Sequence, residues 1–301
     1  MALSIHTNYS SLVTQTNLNK TNNALGTNQQ RLGTGLRINS AADDAAGLQI
    51  ATRLSAQSRG MDVAIRNTGD SISLLQTAEG ALTEMTDIVQ RMKDLATQAA
   101  NATASEKDRD AMQAEYDELG KELGNIVKNT KYAGENLFSD GTTTDGTDGK
   151  FSAALNFQIG ASAAETLELD VSTQLTSLTT ALDGASTKYA AGSGAASGAG
   201  TDIAGADTTA ANGMIDTLSD TLDTIGELRA QFGANINRLN HTANNLSNMK
   251  DNTDMAKGRV MDADFAKESA NMTKNSMLMQ SGISMLKQAG QMPGMVMSLL
   301  G

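Results

Sequence analysis

Cysteine is absent from this chain of 301 residues, so it holds no disulfide and no thiolate-ligated metal. Tryptophan is absent too, and aromatics make up only 3%, which argues against a compact globule around a thick core. Proline occurs once, at Pro293. Helix-rich chains keep proline rare because it lacks a donor and clashes with the preceding turn. The same scarcity spares a chain that must thread a channel unfolded from slow X-Pro isomerisation. No apolar run is long enough to span a bilayer, which takes roughly eighteen residues. The opening Met-Ala-Leu-Ser-Ile-His has no basic region and no apolar run, so a cleaved secretory signal is not expected.

Charge is unevenly placed. The net value is −11, yet residues 1–43 and 259–301 together hold seven Lys/Arg against four Asp/Glu. Residues 44–258 hold sixteen against thirty. Buried ends and an acidic, solvated middle produce such a division, and the acidity argues against a nucleic-acid partner.

What the chain does have is a seven-residue apolar rhythm at both ends. Leu18, Leu25 and Leu32 share one register near the N-terminus; Phe265, Met272, Met279, Leu286 and Leu300 share another near the C-terminus, interrupted at Pro293. Two more series run Leu54, Met61, Leu75, Leu82, Val89 and Leu218, Ile225, Phe232, Leu239, Leu246. A seven-residue repeat keeps a narrow apolar stripe on one side of a helix, which suits helices packed lengthwise. The expected fold is therefore mainly α: a long, antiparallel, coiled-coil-like bundle.

Along the chain, 3–32 reads as a first helix, and 33–43 as a connector with extended segments, punctuated by Gly33, Gly35 and Gly47. Residues 44–100 read as one helix, roughly 85 Å long at about 1.5 Å per residue. Its second apolar line is Ile65, Ile72, Met85, Met92 and Ala99. Ser105-Glu-Lys-Asp108 resembles a capping box with Asp in place of Glu. Met112, Tyr116, Leu119, Leu123 and Ile126 then mark a helix folding back on its predecessor. The period next falls to two, in Leu155, Phe157, Ile159 and in Leu167, Leu169, Val171, which predicts a β-hairpin. Residues 139–150 and 190–202 are low-complexity loops unable to fold alone. Helical periodicity returns over 210–254 and from 262 onward, so the chain goes out and comes back with its termini side by side.

Chemistry-bearing constellations are missing. His6 and His241 stand alone, and no His-Glu-x-x-His occurs. Gly33-Thr34-Gly35 lacks the third glycine of a nucleotide fingerprint and reads as a turn. Asp43-Asp44 and the carboxylates at 115–118 show no matched acid–base partner, and the Asp/Thr/Gly loop at 140–150 reads as solvated rather than cation-binding. Met272, Met277, Met279 and Met285 read as packing, since Met fills irregular gaps. No catalytic, cofactor or metal residues are expected, and the chain is not read as an enzyme.

Several segments resemble bacterial flagellins. They are 36–47 (Leu-Arg-Ile-Asn-Ser-Ala-Ala-Asp-Asp-Ala-Ala-Gly), 17–20, 65–67, 76–82 (Gln-Thr-Ala-Glu-Gly-Ala-Leu), 286–291 (Leu-Lys-Gln-Ala-Gly-Gln) and 298–300. The resemblance covers about 1–138 and 210–301. It implies a filament subunit exported through the flagellar type III apparatus to an extracellular flagellum. Residues 1–43 and 259–301 would form the inner D0 layer, with Leu18, Leu25, Leu32, Phe265, Met272, Met279, Leu286, Leu299 and Leu300 packing between subunits. Residues 44–258 would form D1, with a core of Leu54, Met61, Leu75, Leu82, Val89, Leu218, Ile225, Phe232, Leu239 and Leu246. The hairpin would lie at about 151–171. The variable region would shrink to about 180–210, which with the sixteen methionines resembles lateral flagellins.

The implied partners are copies of the same chain, an export chaperone, the filament cap and hook-associated proteins. Residues 90–98 and 113–115 also resemble the surface gripped by the vertebrate flagellin-sensing Toll-like receptor, which would make Arg91, Leu95 and Glu115 contacts. The alternative reading is a hook–filament junction protein or another secreted helical stalk.

Overall fold

The computed structural model describes residues 8–189, 199–205 and 208–300, with 292–300 in backbone only. His6, most of the 190–202 loop and the side chains of Leu299 and Leu300 lie outside the described residues. Among the described residues six helices dominate: α1 (Tyr9–Thr34), α2 (Ala45–Ala99), α3 (Glu106–Asn129), α4 (Ser172–Ala185), α5 (Thr209–Met261) and α6 (Phe265–Leu300). Two small antiparallel hairpins accompany them, β1 (Lys131–Tyr132) with β2 (Glu135–Asn136) and β3 (Leu155–Gln158) with β4 (Thr166–Leu169). The chain is mainly α, as its periodicity predicts.

Cα packing divides the chain into two compact units, Met1–Ser58 with Lys250–Gly301, and Arg59–Met249. In the first, α1 and α6 run antiparallel against each other. Asn8 starts α1: its Oδ1 accepts from the Ser11 amide at 3.0 Å. Gly35 ends it in the left-handed region, at φ 72°, and its N–H returns to the Arg31 carbonyl at 2.8 Å. Only glycine adopts that backbone freely, which explains its place one residue past the helix. The connector then runs extended. Leu36 bridges Asp262, the Arg37 amide donates to the Met261 carbonyl, and the Ala263 amide donates to the Gly35 carbonyl. Residues more than two hundred positions apart are thus tied by backbone. Ile38 is buried there, and a Cβ on Gly47 would lie 2.7 Å from its Cδ1, so only glycine permits that approach.

In the second unit, the stripes of α2, α3 and α5 join α4 and the β3–β4 hairpin around one core. Leu75, Leu82, Val89, Leu218, Ile225, Phe232 and Leu239 are essentially fully buried. Each contributes about 1.5–3 kcal/mol through apolar transfer. Thr68 occupies the α2 register between Met61 and Leu75, buried, with its hydroxyl donated to the Ala64 carbonyl at 2.8 Å. Three of the five phenylalanines gather in one place: Phe151 sits 6.0 Å from Phe138 and 5.1 Å from Phe232 between ring centroids. The aromatics are few but concentrated.

Ser105 caps α3 with both halves of the box, Asp108 standing in for the usual Glu. The β3–β4 ladder pairs Leu155 with Leu169 and Phe157 with Leu167, within the span expected from the alternation. Its long turn is held from inside by Gln158, whose Nε2 donates to the Gly160, Ser162 and Glu165 carbonyls.

Three features depart from the sequence reading. Residues 172–185 form α4, whose Leu175, Leu178, Leu182 and Ala185 face the core. A two-residue hairpin, β1–β2, turns through Ala133 and Gly134 at φ 51° and 88°. The 139–149 loop is not simply solvated. Ser139, Thr144, Gly146 and Gly149 are buried, and a Cβ on Gly149 would lie 2.5 Å from the Phe138 carbonyl carbon. Asp140 organises its exposed part by accepting from the Thr142 hydroxyl and the Thr142 and Thr143 amides, which hold its carboxyl down at about 2.

Candidate functional site

The same seven-residue stripe has two fates. On α1, Leu25 is buried, while Leu18 and Leu32 are half-buried; on α6, Met272, Met279 and Leu286 are half-buried. Leu18 meets α6 at Gly282, where a Cβ would lie 3.2 Å from the Leu18 Cδ1. Phe265 holds the stripe's register yet is 67% exposed. The reason is opposite it: α1 ends there in Gly33, Thr34 and Gly35, which offer no apolar side chain.

Further apolar groups stand in solvent on both helices. Tyr9, Leu12 and Val13 form one i, i+3, i+4 patch on α1. Met277, Leu278, Ile283 and Met285 are exposed on α6. The methionine stripe therefore splits, with Met272 and Met279 toward α1 and Met277 and Met285 away from it. Sequence reasoning missed Tyr9, Leu12, Val13 and Ile283 because they lie off the seven-residue line. Their own helical spacing was the available signal.

In the central core, nine of the ten expected positions are buried; Met61 and Leu246 form a small separate cluster with Ala64. Leu54 is the correction. It is half-buried and belongs to the compact unit of the chain ends, because that unit extends along α2 to Ser58.

The receptor-contact residues do not share one surface. Arg91 and Glu115 are exposed and paired, with Nε and Nη2 donating to one carboxylate oxygen at 2.9 and 2.7 Å. Leu95 is only 2% exposed and packs inside the core, one position before Ala96 of the α2 stripe. Its side chain is not available to a partner, and Leu95 is removed from that surface.

The carboxylates read as lacking acid–base partners have structural work. Asp43 accepts from the Ser40 and Asn39 amides and the Ser40 hydroxyl, and these bonds lower its pKa. Asp44 accepts from the Gly47 amide at 2.8 Å, at the start of α2. Asp117 is buried with Gln113, whose Nε2 donates to it at 2.7 Å, and it accepts from the Gly200 amide. Gln113 also reaches Asp202, where burial pushes the carboxyl up. Lys121 pairs with Glu118 one turn away. Among the described residues, no three His, Asp or Glu side chains are placed to hold a metal, and no helix is long and apolar enough to cross a membrane.

The model of the bacterial flagellin N-terminal helical region matches residues 5–143, and that of the C-terminal helical region matches 213–300. The chain is 34% identical to flagellin A of Vibrio anguillarum over the whole of both proteins. It is 39% identical to a flagellin of Halalkalibacterium halodurans, covering 94% of this chain and 93% of that one. Among solved structures, a Vibrio parahaemolyticus protein assigned to the flagellar hook-associated class covers 73% of this chain and all of its own, with TM-score 0.54 at 14% identity, a likeness of fold alone. By both terminal models and by full-length identity, the chain belongs to the bacterial flagellin family.

Proposed function

We propose that this flagellin works as a structural subunit that polymerises into the bacterial flagellar filament, an extracellular appendage. One observation carries the reading. A stripe that is closed in the central bundle is only half-closed in the α1–α6 pair, and large apolar side chains stand beside it. Monomers rarely leave such surfaces unused. Copies of the same chain are the occupants, so the exposed Phe265 and the half-buried Leu18, Leu32, Met272, Met279 and Leu286, with Leu299 and Leu300, take the inter-subunit role, while Leu25 is already covered within the chain. Residues 1–43 and 259–301 correspond to D0, and 44–258 to D1. Export through the flagellar type III apparatus, a chaperone over the C-terminal stripe, and the cap and hook-associated proteins complete the reading. The test is electron microscopy of purified, salt-treated protein. Long uniform fibres support the subunit reading; discrete particles favour a junction protein.

Host recognition is a second role, supported by Arg91 and Glu115 in exposed positions. Lys93 and Asp94 stand where stimulatory flagellins more often carry Arg and Glu, which costs bidentate geometry and carboxylate reach. Recognition of monomer by the flagellin-sensing Toll-like receptor is expected at reduced affinity. A receptor-reporter assay comparing the parent with Arg91→Ala and Glu115→Ala decides it. A silent parent, or alanine variants as potent as the parent, leaves the pair a purely structural role.

A further inference from the structure

Arg109, Gln113 and Asp117 recur every four residues on α3, so they share one face of it. All three are buried, which polar groups tolerate only with partners. Residues 199–205, far along the chain, supply them. Gln113 is the centre. Its Oε1 accepts from the Ile203 and Ala204 amides at 2.7 and 3.1 Å, and its Nε2 donates to Asp117 at 2.7 Å and to Asp202 at 3.3 Å. Asp117 also accepts from the Gly200 amide, and Arg109 Nε donates to the Gly205 carbonyl, both at 2.8 Å. Held this way, Ile203 is fully buried in the central core.

Two carboxylates therefore share one amide, and they share it unequally. The Gln113 and Gly200 contacts of Asp117 are short, as charge-assisted hydrogen bonds are. Asp202 accepts from Gln113 and from the Thr187 amide and hydroxyl, and those contacts run from 3.1 to 3.3 Å. They are long for a charge that is only 9% exposed. The other charged or titratable neighbours are Arg109 and Tyr116 on α3 and Lys188, buried beside Gly120. Arg109 also donates to the Ala104 carbonyl, and the Tyr116 hydroxyl to the Ala185 carbonyl.

Docking of 199–205 takes the Asp202 carboxyl out of water, and undocking returns it. Burial pushes its pKa up against the Thr187 and Gln113 hydrogen bonds, and the nearby Asp117 charge adds to the rise. A carboxyl raised in the docked form holds its proton more tightly docked than free. Docking is therefore weakest where Asp202 is ionised in both forms. It strengthens as pH falls from the raised value towards the ordinary one of about 3.9. We propose that residues 199–205 form a pH-sensitive latch on α3, worked by Asp202, that tightens in mild acid and loosens near neutral pH. Opening uncovers the Gln113–Asp117 face of α3 and withdraws Ile203 from the core.

The test uses soluble full-length chain. The latch lies wholly within the central unit, so the outcome depends neither on the terminal helices nor on assembly. Hydrogen exchange at the Ile203 and Ala204 amides, corrected for its intrinsic pH dependence, reads the latch because both amides donate to Gln113. From pH 7.5 to about pH 4.5 their protection should rise at least about twofold. In Asp202→Asn it should stay level over the same range. In Asp117→Asn the rise should shrink yet persist, since burial is the larger cause. Should Asp202→Asn leave the segment undocked, carboxyl-carbon shifts of the parent decide, with an Asp202 midpoint expected above about 3.9. Three results would overturn the proposal. They are protection in the parent that stays level or falls in acid, an Asp202→Asn variant as pH-dependent as the parent, and an Asp202 midpoint at or below the ordinary value.

Discussion

The chain ends and the middle of this flagellin carry the same seven-residue repeat and use it differently. In the middle, α2, α3 and α5 meet with α4 and a hairpin, and the stripe positions from Leu75 to Val89 and Leu218 to Leu239 have essentially no exposure. At the ends, among the described residues, α1 and α6 pack mainly against each other, and two helices cannot cover a stripe all round. Heptad spacing alone therefore does not say whether a helix is finished within its own chain. The number of neighbours does, and that number is decided by the topology.

Removing one side of the terminal pair should have the largest effect. A chain truncated after Arg259 keeps the central core but loses α6, and it should stay soluble, mostly helical and unable to polymerise. Salt-induced fibre formation followed by electron microscopy checks this, and fibres from the truncated chain would show that the ends are not the assembly surface. Leu286→Asp should come next. A carboxylate in a dry helix interface costs on the order of several kcal/mol unless it protonates or reaches water. Secreted monomer with short or absent filaments is expected, and normal motility would place Leu286 against solvent in the filament.

A matched pair of phenylalanines sharpens the contrast further. Phe232→Ala should destabilise the soluble chain by about 3–5 kcal/mol in chemical denaturation, because Phe232 is buried and packed against Phe151. Phe265→Ala should change the same measurement by less than about 0.5 kcal/mol, as exposed positions do, while raising the protein concentration needed for assembly. Equal effects in denaturation would erase the distinction between the two regions.

The smallest effect is electrostatic. Asp140 has its pKa lowered to about 2, first by the Thr142 hydroxyl and then by the Thr143 and Thr142 amides. A depressed carboxylate contributes fully above its unfolded value of about 3.9, and the contribution is lost as pH falls through the folded value. Carboxyl carbon shifts should therefore place its midpoint near 2, and a midpoint near the unfolded value would mean that the loop does not hold its turn in solution.

Much of the fold was legible because long helices announce themselves through period and punctuation. The Ser105 box, the Gly35 stop and the Leu155–Leu169 alternation each lay in the local sequence. What escaped depended on neighbours or on unusual turns. The segment 172–185 is rich in Thr and Ser, whose competing hydrogen bonds blur a helix signal; here Thr176, Ser177 and Thr180 donate to the carbonyl four residues back. The β1–β2 turn puts an alanine at positive φ, a residue that does not advertise that conformation. Leu95 resembled a contact residue by motif, yet its side chain is inside. Motif likeness aligns the backbone, and burial is settled by the helix's rotation against its neighbours.

The distribution of ring chromophores has a spectroscopic consequence. With no tryptophan, ultraviolet emission comes from the four tyrosines alone. Tyr116 and Tyr189 are buried in the central bundle, their hydroxyls donated to the Ala185 and Thr144 carbonyls at 2.6 and 2.7 Å, and Tyr132 lies in the same unit. Tyr9, the fourth, is already in water. Intrinsic fluorescence thus reports the melting of the middle and stays nearly silent while the terminal helices separate. A tryptophan placed at Phe265 would give that silent region a light of its own.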